Sequence, residues 1–379
     1  SARTWSGCPA SLVPALEQQG LDVVGVDAGL HGWRALPWAV RYHVRRWWHS
    51  PRRAKLDLRL QRTLLSEGYR ADFHWDLRLR ERRARRAIAA ARRSGATTVL
   101  HCTPNALPRE APAGIRQVAY LDATWTSQTR HRRPGGLGRY PTRLVEEGDA
   151  HDRASHRWLD HVFAMGEWFV DELTAVGVPP ERITDVGTGI AHGDRARHGC
   201  SVPGRMLVAV KDLVDERGVP TAVAALEVAR RTDPSLHLVV VGNAGAARRF
   251  GDVPGVEAHG FVDRATLDRL LDEASLVVLP ASYQAWGMVL LEAMDAGVPV
   301  LALDRFAAPQ ITEDGALGFL VDDQEPDRVA SAMLDAFSDR ERLEELGREG
   351  QQSVRRRFSW DGVAAKMAAV ITQVDVPAR

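Results

Sequence analysis

A four-residue apolar run at 276–279 is followed by a small-residue loop and then by helical spacing from Met288 to Ala296. This order of strand, loop and helix constrains the fold more than any other feature. A run with no polar alternation is buried on both faces, as the strands of a parallel sheet are. The alternation recurs along the chain. Strands are expected at 21–26, 97–102, 117–121 and 161–165, with helices at 11–19, 77–93, 142–158 and 168–176. A second series follows: strand 206–210, helix 219–232, strand 236–241 and helix 265–274, leading into the strand at 276. Strands that alternate with helices in this way predict an α/β fold with parallel sheets.

At 379 residues the chain is too long for one ordinary core and suits two domains. The breaker-rich stretch between Ile190 and Gly204 is the expected linker. A net charge of +1 argues against a whole-protein nucleic-acid binder. No run of about 18 apolar residues occurs, so no transmembrane helix is expected, and a cytoplasmic location is the expectation. Cys8, Cys102 and Cys200 have no paired spacing for zinc, redox chemistry or a disulfide framework, and are expected to be thiols.

The loop after 279 has the chemistry of a ligand site. Gly287 can bring the backbone close to a ligand, and the N–H groups that open the next helix have no intrahelical partner, so an anion such as phosphate fits there. Glu292, on the early turns of that helix, can accept two hydrogen bonds from vicinal hydroxyls such as those of a ribose.

The run Pro280, Ala281, Ser282, Tyr283, Gln284, Ala285, Trp286, Gly287, continuing to Glu292, resembles the donor-binding signature of family-4-type retaining glycosyltransferases of the two-domain GT-B fold. That pattern has two Glu flanking seven residues. Here Gln284 replaces the first Glu and Trp286 the usual Phe, while Gly287, Glu292, Ala293, Gly297, Pro299 and Val300 fit. The resemblance covers nearly the whole chain and is strongest from Met206 to Asp361. It implies two Rossmann-like domains facing a cleft, over 1–200 for acceptor binding and 201–357 for donor binding, with a helix over 358–379 that crosses back to the first domain. The donor contacts it implies are Gly7, Gly242, Val262, Trp286, Gly287, Met288, Val289 and Glu292. By this resemblance the chain is expected to begin just after the family's usual opening strand, which is either missing or replaced.

The stretch Val208 to Gly218 resembles the family's strand and loop that hold an Arg and a Lys against the donor diphosphate. Arg217 stands where Lys is usual. Counting back from Gly218 puts Asp212 on the Arg position, and a one-residue insertion puts Lys211 there; the insertion is preferred because a leaving diphosphate needs positive charge. Surface cations are the bland alternative. Gly242 to Gly245 and Gly260 to Val262 resemble family loops near the nucleotide, although strand-end glycine loops occur in any α/β protein. Asp122, at the end of a strand, stands where many relatives carry a His beside the transferring sugar. Thr188 to Ile190 and Gly166 to Trp168 support the architecture more than the chemistry, and His101 is read as a structural histidine.

Between His31 and Arg93 the chain is Arg-rich and carries Trp33, Trp38, Trp47, Trp48 and Trp75. An acceptor surface for a glycan, natural product or lipid-linked acceptor, with peripheral membrane contact, is weighed evenly against a solvated helix face with core tryptophans. The expected activity is transfer of a sugar from a UDP- or GDP-type donor with retention, without metal or other cofactor, and Asp122, Lys211, Arg217 and Gln284 are the expected catalytic group. A non-catalytic nucleotide-sugar binding protein and a GT-B epimerase or phosphorylase remain as alternatives.

Overall fold

The computed structural model describes residues 8–25, 77–103, 107–131, 142–191, 202–211 and 213–373. The first described helix is α1 (Cys8–Gln18) and the second α2 (Leu77–Arg93). They are followed by β1 (Thr98–His101), β2 (Arg116–Leu121), α3 (Trp125–His131), α4 (Thr142–His156), β3 (His161–Ala164), α5 (Glu167–Ala175) and β4 (Ile183–Asp185). These four strands form one parallel sheet in chain order.

The second unit runs β5 (Arg205–Ala209), α6 (Val219–Ala229), β6 (His237–Val241), α7 (Ala244–Phe250), β7 (Val256–Ala258), α8 (Arg264–Glu273) and β8 (Leu276–Leu279). It continues with α9 (Met288–Asp295), β9 (Val300–Leu303), α10 (Ala308–Thr312), β10 (Phe319–Val321), α11 (Pro326–Ser338) and α12 (Arg340–Arg357). Its six parallel strands are ordered β10-β9-β8-β5-β6-β7. The chain therefore leaves β5 toward one edge and returns at β8 to build the other. The crevice above the carboxyl ends of these two adjacent strands is where ligands bind in open α/β sheets.

The strands are buried as their composition demands: Leu276 to Leu279 are all buried, as are the apolar faces of α6 and α9 against them. A last helix, α13 (Trp360–Gln373), leaves the second unit and packs Val363, Ala364 and Met367 against Leu12, Ala15 and Leu16 of α1. Arg116 of β2 donates to the Ile371 carbonyl at its end, at 2.8 Å. The crossing-back helix of the GT-B resemblance is thus present.

Three expectations are corrected. Helix α1 begins at Cys8 rather than Ser11, with Pro14 inside it. Residues 21–25 form no strand, and Val24 is 57% exposed. A strand needs a ladder partner to satisfy its backbone, and among the described residues no strand of the first sheet pairs with 21–25. The stretch after Gly242, read as a glycine loop, continues as α7 because the Asn243 side chain accepts from the N–H groups of Gly245 and Ala246 at 2.8 and 3.1 Å. Gly7 and the tryptophans at 33, 38, 47, 48 and 75 lie outside the described residues.

Candidate functional site

The loops that follow β5 and β8 are separated by some seventy residues of sequence and interlock above the crevice. The Ser282 N–H and hydroxyl both donate to the Glu216 carbonyl, at 2.8 and 3.2 Å. Arg217 Nη1 donates to the Tyr283 carbonyl at 3.3 Å. Gly218, left-handed at φ 78°, caps α6, and a Cβ there would overlap the Pro280 carbonyl. The backbones cross too closely for any other residue.

Gly287, also left-handed at φ 86°, is the N-cap of α9 and supplies no side-chain cap. Met288 and Val289 form the first turn and are half-buried. The positive end of α9 therefore opens beside the Arg217 loop, a pairing suited to an anion. Lys211 is exposed at the end of β5, and its carbonyl accepts from Asn243 Nδ2 at 3.2 Å. Residue 212 lies outside the described residues.

Across the cleft, Asp122 ends β2. Burial pushes its carboxyl above the usual aspartate range, with its own backbone hydrogen bond and the positive charge of Arg217 opposing the shift. The fold thus brings Asp122 of the first unit into electrostatic range of Arg217 of the second. Neighbouring apolar contacts between Ala123, Tyr283 and Ala285 hold this approach.

Glu292 is not free: Arg264, on α8, reaches it at 3.0 Å while also pairing with Asp268 at 2.8 Å. Sequence reading missed this cation, because nothing in the spacing of 264 and 292 puts them together. Trp286 is buried at 3% exposure and spends its ring on the junction of the two units. It lies edge-on to Phe358 at 5.9 Å, and a Cβ on Gly166 would overlap it. The Trp286 ring therefore packs at the junction of the two units. Its indole Nε1–H and the Gln284 Oε1 are buried and lack hydrogen-bond partners among the described residues. A buried polar group left this way costs about 1–3 kcal/mol, so both atoms mark space where a ligand or water is expected. Gln284 and Trp286 line a small pocket between β8, β9 and α9, which Arg305 and Phe306 also line.

On the other side of the crevice, Gly242 is left-handed at φ 108°, and its N–H donates to the Gly260 carbonyl at 2.9 Å. A Cβ at Gly242 would meet the Val210 carbonyl at 2.5 Å. Val262 packs into the core, whereas its neighbour Phe261 is 80% exposed on the same loop. Phe261 is the better candidate for contact with a ligand ring, and its exposure could not be read from the sequence.

Phe306 has φ 57°, a strained backbone for a bulky residue. It meets Tyr283, His131 and Trp168 edge-on, at 5.3, 5.3 and 5.2 Å. This aromatic cluster joins the two units and was not visible in the sequence. His101 has the structural role expected: it is buried, bonded to Gln117 Oε1 at 2.7 Å, and its pKa is lowered by burial. Arg82, Arg85, Arg86, Arg92 and Arg93 of α2 are exposed, which favours the solvated-face reading for that helix. Among the described residues no group of three or more His, Cys, Asp or Glu is placed to hold a metal ion, and no helix is long and apolar enough to cross a membrane.

Residues 194–353 match the family model of glycosyl transferases group 1. The chain is similar to the GDP-mannose-dependent alpha-(1-6)-phosphatidylinositol monomannoside mannosyltransferase of Mycobacterium tuberculosis, 32% identical over 43% of this chain and 46% of that protein. It is also similar to the D-inositol 3-phosphate glycosyltransferase of Segniliparus rotundus, 28% identical over 46% of this chain and 41% of that protein. The chain spans about half the length of the curated relatives it matches. In fold it is similar to sucrose-phosphate synthase from Thermosynechococcus elongatus, with a TM-score of 0.66 at 16% identity, covering 80% of each chain. It also matches Anabaena HepE in complex with UDP-glucose, with a TM-score of 0.60 at 17% identity, covering 77% of this chain and 82% of that one. The fold is GT-B.

Proposed function

We propose that the chain transfers a sugar from a nucleoside diphosphate sugar to an acceptor, with retention of configuration and without a metal ion. The observation that carries this reading is the interlock of the loops after β5 and β8, which sets Arg217 beside the open N-terminus of α9 at the switch point of the second sheet. As the bond from sugar to diphosphate breaks, negative charge grows on the leaving phosphate. Lys211, Arg217 and the α9 N–H groups supply the compensating positive charge.

Glu292 accepts the ribose hydroxyls in this reading, sharing itself with Arg264. That pair is 29% and 61% exposed, so loosening it costs little. Asp122 faces the transferring sugar from the first domain, and Gln284 lies against the sugar pocket. The reaction takes place in the cytoplasm, at the inner membrane face for a lipid-linked acceptor. The phosphatidylinositol monomannoside in the name of the mycobacterial relative supports a lipid-linked one.

Release of radiolabelled sugar from a panel of UDP- and GDP-sugars, with chelator present and with candidate acceptors, tests the reading. Turnover of at least one donor in chelator is expected. Binding without any turnover or hydrolysis would make the chain a nucleotide-sugar binding protein instead. Formation of an isomerised free donor or a sugar phosphate would make it an epimerase or phosphorylase. Activity lost in chelator and restored by magnesium or manganese would overturn the metal-free mechanism.

A further inference from the structure

We propose, resting on the donor reading above, that the pocket beside Gln284 selects a donor whose sugar carries a carboxylate, a hexuronic acid, over the matching neutral hexose. The cavity is about 20 Å³, which is room for one water-sized substituent and not for a whole ring. Aliphatic side chains of β8, β9 and α9 line it, and no carboxylate lines it among the described residues. Its polar lining comes from Gln284, Trp286 and Arg305.

Each of these three favours an acceptor-rich group. The Trp286 indole N–H, on a side chain 3% exposed, has no acceptor among the described residues. Arg305 has no carboxylate partner among them either; its Nη2 donates only to the Asp322 carbonyl, at 3.1 Å. Gln284 puts a neutral amide where a carboxylate would repel an anionic sugar. A carboxylate substituent takes the indole N–H and answers the guanidinium charge, and an adjacent ring hydroxyl donates to the orphaned Gln284 Oε1. A neutral hydroxymethyl group leaves the guanidinium unanswered.

Calorimetry with UDP, GDP, UDP-glucose, UDP-glucuronate, GDP-mannose and GDP-mannuronate tests this. For whichever base binds, the uronate is expected to bind about tenfold or more tightly than its neutral partner, as charge-assisted bonds allow. Arg305→Ala, at an exposed position, and Trp286→Phe, which keeps the buried ring and removes the N–H, should each cut that preference several-fold while leaving UDP or GDP affinity unchanged. Gln284→Glu should reverse the preference. Melting temperatures identify any variant that fails to fold, and the exposed Arg305→Ala then carries the test. Equal or weaker binding of the uronate by the wild-type protein overturns the inference, as does an unchanged ratio in the folded variants. Failure of both UDP and GDP to bind is a separate result that removes the donor reading and this inference with it.

Discussion

Gly166 and Trp286 meet across the two domains: the N-cap of α5 presses on an indole carried by the loop before α9. Gly166 has φ −171°, an extended backbone open to any residue, so glycine is required there for its lack of a side chain and not for its backbone freedom. The ring is further fixed by Phe358, at the start of the segment that leads into α13. One side chain thereby ties the donor-side loop to the first domain and to the returning helix.

Gly166→Ala is expected to lower stability by about 1–3 kcal/mol, because an added methyl must displace a buried indole that has nowhere to move. Urea midpoints of the wild type and the variant check this, and an unchanged midpoint would show that the domains part easily at this contact.

Asp122 makes stability depend on pH with a definite sign. Its folded pKa is raised, chiefly by burial, so the folded protein holds the proton more tightly than the unfolded chain. Its stabilising share is full below the ordinary aspartate pKa. It is lost as pH rises from there through the raised value. Asp122→Asn removes this loss, so its stability relative to wild type is expected to climb over that window and level off above it. Urea midpoints measured across acid and neutral pH report the difference, and a difference flat in pH would mean that Asp122 titrates as an exposed carboxyl.

Arg217→Ala is expected to reduce turnover by about a hundredfold, the scale seen when one preorganised donor to developing charge is removed. Its hydrogen bond to the Tyr283 carbonyl also shapes the loop, so a binding measurement with the nucleoside diphosphate is needed beside the kinetics. Turnover at the wild-type rate would move the phosphate site elsewhere.

The pair Glu292 and Arg264 separates binding from packing. Glu292→Ala should weaken nucleotide binding by roughly 1.5–3 kcal/mol if its ribose bonds are charge-assisted. Arg264→Ala should change folding stability by less than about 1 kcal/mol, since the pair is partly exposed. Calorimetry and thermal unfolding distinguish the two effects, and nucleotide affinity unmoved by Glu292→Ala would remove Glu292 from the site.

Phe261 projects from the loop tied to Gly242, at the carboxyl edge of the second sheet. Stacking of a nucleobase on this ring is expected to be worth about 1–3 kcal/mol, so Phe261→Ala should weaken nucleotide binding by that amount with the fold intact. Equal affinity for wild type and variant would leave Phe261 without a role in the site.

Much of the second domain was legible in advance because its signals are local. The apolar run of β8, the helical spacing of α9 and the glycines at 218 and 287 report backbone demands that lie within a few residues of each other. The expected ranges for α2 and β8 coincide with those observed, and the other elements are displaced by a few residues at their ends. The strand expected at 21–26 is absent over its described residues 21–25 for the complementary reason: strand formation needs a neighbour, and an apolar run does not say whether one is present.

What the sequence determined by itself was the alternation of parallel-sheet elements and the match of residues 194–353 to the group 1 glycosyl transferase model, both written in periodicity and short motifs. Only the tertiary structure decided which strands lie side by side, and with that order the pairing of the loops after β5 and β8. It also decided that Arg264 reaches Glu292, that Arg217 approaches Asp122, and that the Trp286 ring packs at the domain junction. Each of these joins residues 28 or more positions apart. Chain periodicity carries no information on such distances, which are set by how the faces of sheets and helices close their cores.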